Sequence, residues 1–135
     1  MAPPSTCADA FVEDPRVSEL SGVHVFAREG VPIVRLEGEI DLSNADGTFA
    51  MLSEVADGDA PALILDLSGL GYLDSAGVRL LFRLARSVVE DGGTLLVVVP
   101  HGAPVRRVLE LADAPRMFGL EQTEEDALAR LRASS

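Results

Sequence analysis

The segment Ala62-Leu63-Ile64-Leu65-Asp66-Leu67-Ser68-Gly69-Leu70-Gly71-Tyr72-Leu73-Asp74-Ser75-Ala76-Gly77 carries two signals in succession. Its first six residues form a nearly continuous apolar run, the pattern of a central strand covered on both faces. Ser68 to Tyr72, with two glycines, reads as a tight connection. A long helix then starts at Ser75, runs to about Asp91, and is closed by Gly92-Gly93. A buried strand thus delivers a serine to the first turn of the strongest helix in the chain.

At about 100° per residue, Ser75, Arg79, Arg83, Arg86 and Glu90 fall within one arc of about 80°. Val78, Leu80, Leu81, Leu84, Ala85, Val88 and Val89 occupy the rest of the circle. Ser75 is therefore expected on the exposed face, at the positive end of the helix. Two roles are open to it there. It caps the helix, or it accepts a phosphate, which would meet unpaired backbone N–H groups and the favourable end of the dipole. A phosphate brings roughly −1.5 to −2 charges at neutral pH, and Arg79, one turn on, is placed to pair with it. The Arg79-Arg83-Arg86 stripe is either a solvated face or a contact for an acidic partner surface.

On the N-terminal side of this segment, Val23, Val25 and Ala27 alternate with His24, Phe26 and Arg28, as in a half-buried strand. Gly30 makes a turn, and a second strand through Ile33, Val34 and Leu36 ends near Gly38, so the two should form an antiparallel hairpin. Asp41 or Ser43 is suited to cap a helix whose Ala45, Phe49, Leu52 and Val55 follow helical spacing, ended by Gly58 and Pro61. On the C-terminal side, Thr94 to Val99 is another buried strand. Val105, Val108, Leu109 and Ala112 mark a third helix, Pro115 to Leu120 holds a short edge strand, and Thr123 caps a last helix to Arg132. The expected fold class is α/β: a mixed, mostly parallel sheet of about five strands, opened by an antiparallel hairpin, with about four helices packed on it. Residues 1–19, with Pro3, Pro4 and Pro15, read as a flexible N-terminal arm, and residues 20–135 as one domain.

The bulk composition narrows the function. With 135 residues and 47% apolar, the chain can build one core, and with 4% aromatics that core must be made of Leu, Val, Ile and Ala. A formal net charge of −11 argues against nucleic acid or anionic membrane as partner and is compatible with a basic protein partner. A single cysteine, Cys7, excludes an internal disulfide. The first residues lack the pattern of a secretory signal, and the run Leu95–Val99 is too short to span a bilayer. A cytoplasmic location follows as the expectation.

Catalysis finds little support. Leu73-Asp74-Ser75-Ala76-Gly77 has a leucine where a nucleophile elbow needs its first glycine. Gly69-Leu70-Gly71 lacks the third glycine of a dinucleotide loop, and the chain has no lysine to bind a phosphate. Cys7, His24 and His101 are too scattered for a metal site. No enzyme activity and no cofactor are expected.

Two segments together resemble the STAS domain, shared by anti-sigma factor antagonists and the cytoplasmic tails of sulfate transporters. One is Gly38-Glu39-Ile40-Asp41, after the second strand. The other is Leu65-Asp66-Leu67-Ser68 through Tyr72-Leu73-Asp74-Ser75-Ala76-Gly77. The resemblance covers roughly residues 20–132. It implies partner switching: the unmodified protein binds an anti-sigma factor that is also a serine kinase, and so frees a sigma factor. The kinase, using ATP that it binds itself, phosphorylates the serine that aligns with Ser75. The modified form lets go, and a serine phosphatase resets it. The same resemblance places Asp41, Ser43, Asp74, Ala76, Gly77 and Arg79 on the partner-binding surface, with Gly77 allowing close approach of the partner. Ala76 stands where the family often has a second hydroxyl residue, and Arg79 where a small residue is frequent. The family implies an alternative too, a non-catalytic docking subunit of a lipid-transport or stress-sensing complex.

Overall fold

A computed structural model describes residues 10–11, 20–56 and 62–134. The strands are β1 (Ala10–Phe11), β2 (Leu20–Arg28), β3 (Val31–Ile40), β4 (Ala62–Leu73), β5 (Thr94–Val98) and β6 (Gly119–Glu121). The helices are α1 (Ala45–Ala56), α2 (Ser75–Glu90), α3 (Arg106–Leu111) and α4 (Glu124–Ser134), with a 3-10 turn at Ala114–Arg116. All six strands lie in one sheet in sequence order. β1/β2 and β2/β3 are antiparallel, and β3 through β6 are parallel. This is the expected α/β architecture, five strands opened by a hairpin, with the two-residue β1 added at the edge. Most of the arm expected over 1–19 falls outside the described residues, and its described part, Ala10–Phe11, pairs with β2.

The strand pleat divides the side chains between two faces. Val34, Leu36, Leu63, Leu65, Leu67, Leu95 and Val97 face α1, α2 and α3 in the larger core. Ile33, Ile64, Leu96 and Val98 face Ala127 and Leu128 of α4 in a smaller one. Ala62 to Leu67 is buried on both sides, as its unbroken apolar run predicts.

The expected tight connection at Ser68–Tyr72 is not a turn. β4 continues to Leu73, advancing seven residues from Asp66 to Leu73 while β3 advances five from Arg35 to Ile40. Two bulges absorb the difference. They replace strict alternation by burial of Leu67, Leu70 and Leu73, leaving Ser68, Gly69, Gly71 and Tyr72 exposed. A Cβ on Gly69 would lie 2.9 Å from Cγ of Glu37, so glycine at the first bulge leaves room for that side chain. β3 likewise continues past Gly38 to Ile40.

α2 buries Ala76, Gly77, Val78, Leu80, Leu81, Leu84, Ala85 and Val88 and exposes Ser75, Arg79, Arg83, Arg86 and Glu90, as the angular reading requires. Val89 departs from that reading. It lies beside Glu90 in the last turn and is 59% exposed. The short edge strand falls at Gly119–Glu121, after the 3-10 turn that takes up Pro115. Thr123 caps α4, its Oγ1 accepting from Asp126 N–H at 3.0 Å.

One charged residue interrupts the run in β4. Asp66, on the α4 face, is 7% exposed. Its Oδ1 accepts from Ser68 N–H at 2.9 Å and Ser68 Oγ at 2.6 Å. Glu124, the first residue of α4, receives a two-pronged bond from Arg35, at 2.7 and 3.0 Å, with Arg28 at 3.5 Å. Burial pushes the Asp66 carboxyl up to about 6, and the neighbouring Glu124 carboxylate adds to the rise against the opposing Ser68 bonds. Burial also acts to raise Glu124, but the bonds from Arg35 and Asp66 outweigh it and hold Glu124 below its ordinary 4.5. The protonated Asp66 carboxyl is then the donor within this carboxyl pair.

Asp66 is neutral in the folded chain and charged in the unfolded chain between its ordinary 3.8 and about 6. Its contribution is complete below the lower value and is lost as pH rises through the higher. Glu124 acts in the opposite sense and only below 4.5. Between about pH 5 and pH 7.5, unfolding free energy should therefore fall by on the order of 1–3 kcal/mol. Asp66→Asn should flatten that fall. Urea titrations at the two pH values check this, and an equal fall in both proteins would contradict it.

Candidate functional site

The C-terminal ends of β3 and β4 lie side by side, so the loops that follow them meet. Asp74 N–H donates to Ile40 C=O at 3.3 Å. The Asp74 side chain then ties two segments together. Oδ1 accepts from Gly77 N–H at 3.0 Å, the N-cap bond of α2. Oδ2 accepts from Leu42 N–H at 3.1 Å in the β3–α1 loop. Asp74 has extended backbone, φ −97° and ψ −173°, as an N-cap residue requires.

The capping role open to Ser75 thus belongs to Asp74. Ser75 is the first helical residue and is exposed, and its hydroxyl makes no hydrogen bond among the described residues. Its neighbours Ala76 and Gly77 are buried.

Gly77 has a packing role within the fold. A Cβ at that position would lie 2.4 Å from Leu73 Cδ1 and 3.1 Å from Ile40 Cγ2. The close approach that glycine permits in the fold is to its own β3 and β4. Ala76, 8% exposed, also packs inward and offers a partner little surface.

The β3–α1 loop is built around Asp41. Its Oδ1 accepts from Ser43 N–H at 2.9 Å and from the Ser43 hydroxyl. The Ser43 hydroxyl bond, followed by the Ser43 backbone bond, holds the Asp41 carboxyl below its ordinary 3.8. Asp41 C=O accepts from Ala45 N–H at 2.9 Å at the start of α1. Buried Asn44, which sequence reading did not single out, completes the loop. Its Oδ1 accepts from Asp41 N–H at 3.0 Å and its Nδ2 donates to Glu39 C=O at 2.9 Å. The loop carries Leu42 at its tip, 77% exposed.

Asp41, Ser43 and Asp74 therefore gather around the start of α2 beside Ser75, and Arg79 is exposed one turn further along. The arginine stripe divides. Arg83 reaches α1, 3.6 Å from Asp46 and 4.2 Å over the Phe49 ring centroid. Arg79 and Arg86 have no ion pair among the described residues. His24 lies in β2 and His101 in the turn after β5, and among the described residues no group of three or more His, Cys, Asp or Glu could hold a metal ion. Among the same residues no helix is long and apolar enough to cross a membrane.

This bulged α/β sheet with a serine at the head of its longest helix defines a class of domain. The STAS domain model matches residues 23–127, and the chain belongs to that family. Among its relatives, the anti-sigma-F factor antagonist RsfB of Mycobacterium tuberculosis is 31% identical over 110 residues, covering 82% of this chain and 88% of that protein. The anti-sigma F factor antagonist of Paenibacillus polymyxa is 27% identical over 107 residues, covering 78% and 91%. A crystal structure of an anti-sigma factor antagonist from Mycobacterium paratuberculosis superposes with a TM-score of 0.75 at 29% identity, covering 90% of this chain and 99% of that one.

Gly77→Ala should destabilise the domain by about 1–3 kcal/mol through overpacking against Leu73 and Ile40. Asp74→Ala should cost about 1 kcal/mol through the lost cap. Thermal unfolding of the purified variants checks both, and a wild-type midpoint for Gly77→Ala would contradict the packing role.

Proposed function

We propose that this chain is an anti-sigma factor antagonist that works by partner switching, with Ser75 as its phosphoacceptor. In this reading the unmodified protein binds an anti-sigma factor serine kinase and thereby releases a sigma factor. The kinase supplies the ATP, and a serine phosphatase restores the hydroxyl. The antagonist performs no catalysis and needs no cofactor.

One observation carries the reading. Ser75 stands exposed at the first position of α2 with an uncommitted hydroxyl, because Asp74 already caps the helix. A serine needed for capping would have its oxygen occupied and its loss would be felt in stability. The hydroxyl of this serine makes no such bond among the described residues and is presented to the outside. Relatives that are anti-sigma factor antagonists, at 31% and 27% identity, support the same role. Asp41, Ser43 and Asp74 then shape the surface that the kinase grips, and Arg79 extends it along the helix. Ala76 and Gly77 serve from beneath, by seating α2 so that Ser75 is presented.

A phosphate at Ser75 need not unfold the domain. It changes the surface beside Asp74, adding roughly −1.5 to −2 charges where a partner must desolvate them. A thousandfold loss of affinity requires only about 4 kcal/mol. The test is a pull-down from the native extract with ATP or ADP, followed by phosphosite mapping. Ser75→Ala should bind the kinase and stay unphosphorylated, and Ser75→Asp should bind at least tenfold more weakly. Phosphate found elsewhere, with Ser75 untouched, would overturn the assignment.

A further inference from the structure

Between α2 and α3 a shallow groove of about 450 Å³ opens beside Ser75. Val78 of α2 lines it with Val108, Leu111 and Ala112, and so do Ser75 and Arg79. Leu111 is 74% exposed, a large apolar side chain left uncovered among the described residues. The lining is thus apolar, with a hydroxyl, a guanidinium and the Asp74 carboxylate, whose two oxygens already accept from Gly77 N–H and Leu42 N–H, so Arg79 is the charged group left to meet a partner.

The charge around it is unusual for this protein. The chain has 22 acidic residues against 11 basic ones. Most arginines among the described residues are claimed by a carboxylate, as Arg35 is by Glu124, Arg83 by Asp46 and Arg106 by Glu110. Arg79, Arg86 and Arg107 have no ion pair among those residues. Arg79 lines the groove. Arg107 stands one turn before Leu111 on α3, on the same side of that helix. An apolar trough flanked by unclaimed cations complements a segment that is both apolar and acidic.

We propose that Arg79 reads the state of Ser75 for the partner. The proposal rests on Ser75 being the phosphoacceptor. The occupant of the groove is an acidic amphipathic segment of the anti-sigma factor kinase. Its apolar side chain packs against Val108 and Leu111, and its carboxylate pairs with Arg79. Ser75 and Arg79 are four residues apart on one helix face, with Cβ atoms about 5–6 Å apart. A phosphate on Ser75 therefore takes Arg79 as its own charge-assisted partner. It withdraws the cation from the kinase's carboxylate and sets two anions against each other. Release follows from a change of partner at one guanidinium, without rearrangement of the fold.

The test uses the full chain, with phosphoserine installed at position 75 during translation, and the kinase identified by the nucleotide-dependent pull-down. In calorimetric titrations, Arg79→Gln should weaken binding of the unmodified chain by about tenfold. The loss of affinity caused by the phosphate should be several-fold smaller in the Arg79→Gln background than in wild type, and Arg79→Lys should retain part of it. By phosphorus NMR, the phosphoserine should titrate at a pH lower by roughly 0.5 in wild type than in Arg79→Gln. Strictly additive effects of phosphate and Arg79→Gln, or identical phosphate titrations, would overturn the proposal. So would self-association of the wild-type chain that Arg79→Gln abolishes, since that would assign the groove to a second copy. Equal kinase affinity of the phosphorylated and unmodified chains would instead count against partner switching itself.

Discussion

The carboxylate of Asp74 is the constraint on which the functional surface depends. One oxygen caps α2 through Gly77 N–H and the other holds the β3–α1 loop through Leu42 N–H. Two segments distant in sequence are thereby fixed to each other by a single side chain. Because the cap is supplied by the residue before it, Ser75 is left with a free hydroxyl at the positive end of a helix. A serine at the cap position would have needed its oxygen for the backbone. The order Asp-Ser therefore separates the structural task from the chemical one.

That arrangement rests on the two bulges of β4. They let β4 run seven residues while β3 runs five, so that Leu73 meets Ile40 in register and Asp74 N–H reaches Ile40 C=O. The first turns Leu70 into the core where simple alternation would not, and the second brings Leu73 back to the same face. Gly77 then lets α2 descend onto Leu73 and Ile40. Strand irregularity, a glycine and a capping aspartate act in sequence to place one hydroxyl.

The other face of the sheet has a different polar design. Asp66 sits inside a buried strand because Glu124 and Arg35 stand opposite it, and α4 is fastened through its first residue. Here burial and a neighbouring carboxylate favour a shared proton. Around Asp41, the bonds from the Ser43 hydroxyl and the Ser43 backbone favour the ionised form against the smaller opposing effect of burial. The same residue type is pushed in opposite directions by its surroundings, and only Asp41 belongs to the surface around Ser75.

Much of this was legible in the amino-acid sequence. The unbroken run Ala62–Leu67 specified a central strand, and the apolar periodicity of Ser75–Glu90 specified both the long helix and its exposed stripe, because burial pattern follows backbone period. The paired segments at Gly38–Asp41 and Leu65–Gly77 pointed to the STAS family. The sequence did not reveal that Ser68–Tyr72 is strand, since glycines in a bulge and in a turn look alike until the neighbouring strand is in place. It did not distinguish Asp74 from Ser75 as the cap, because both residues can cap and the choice depends on where the helix begins. Nor did it show that Gly77 faces the chain's own Leu73, that Asp66 meets Glu124 58 residues away, or that Leu111 and Arg79 line one groove. Local patterns determined the elements and marked the serine. Which side chains meet was decided by the tertiary structure, because those contacts join residues that no periodicity connects.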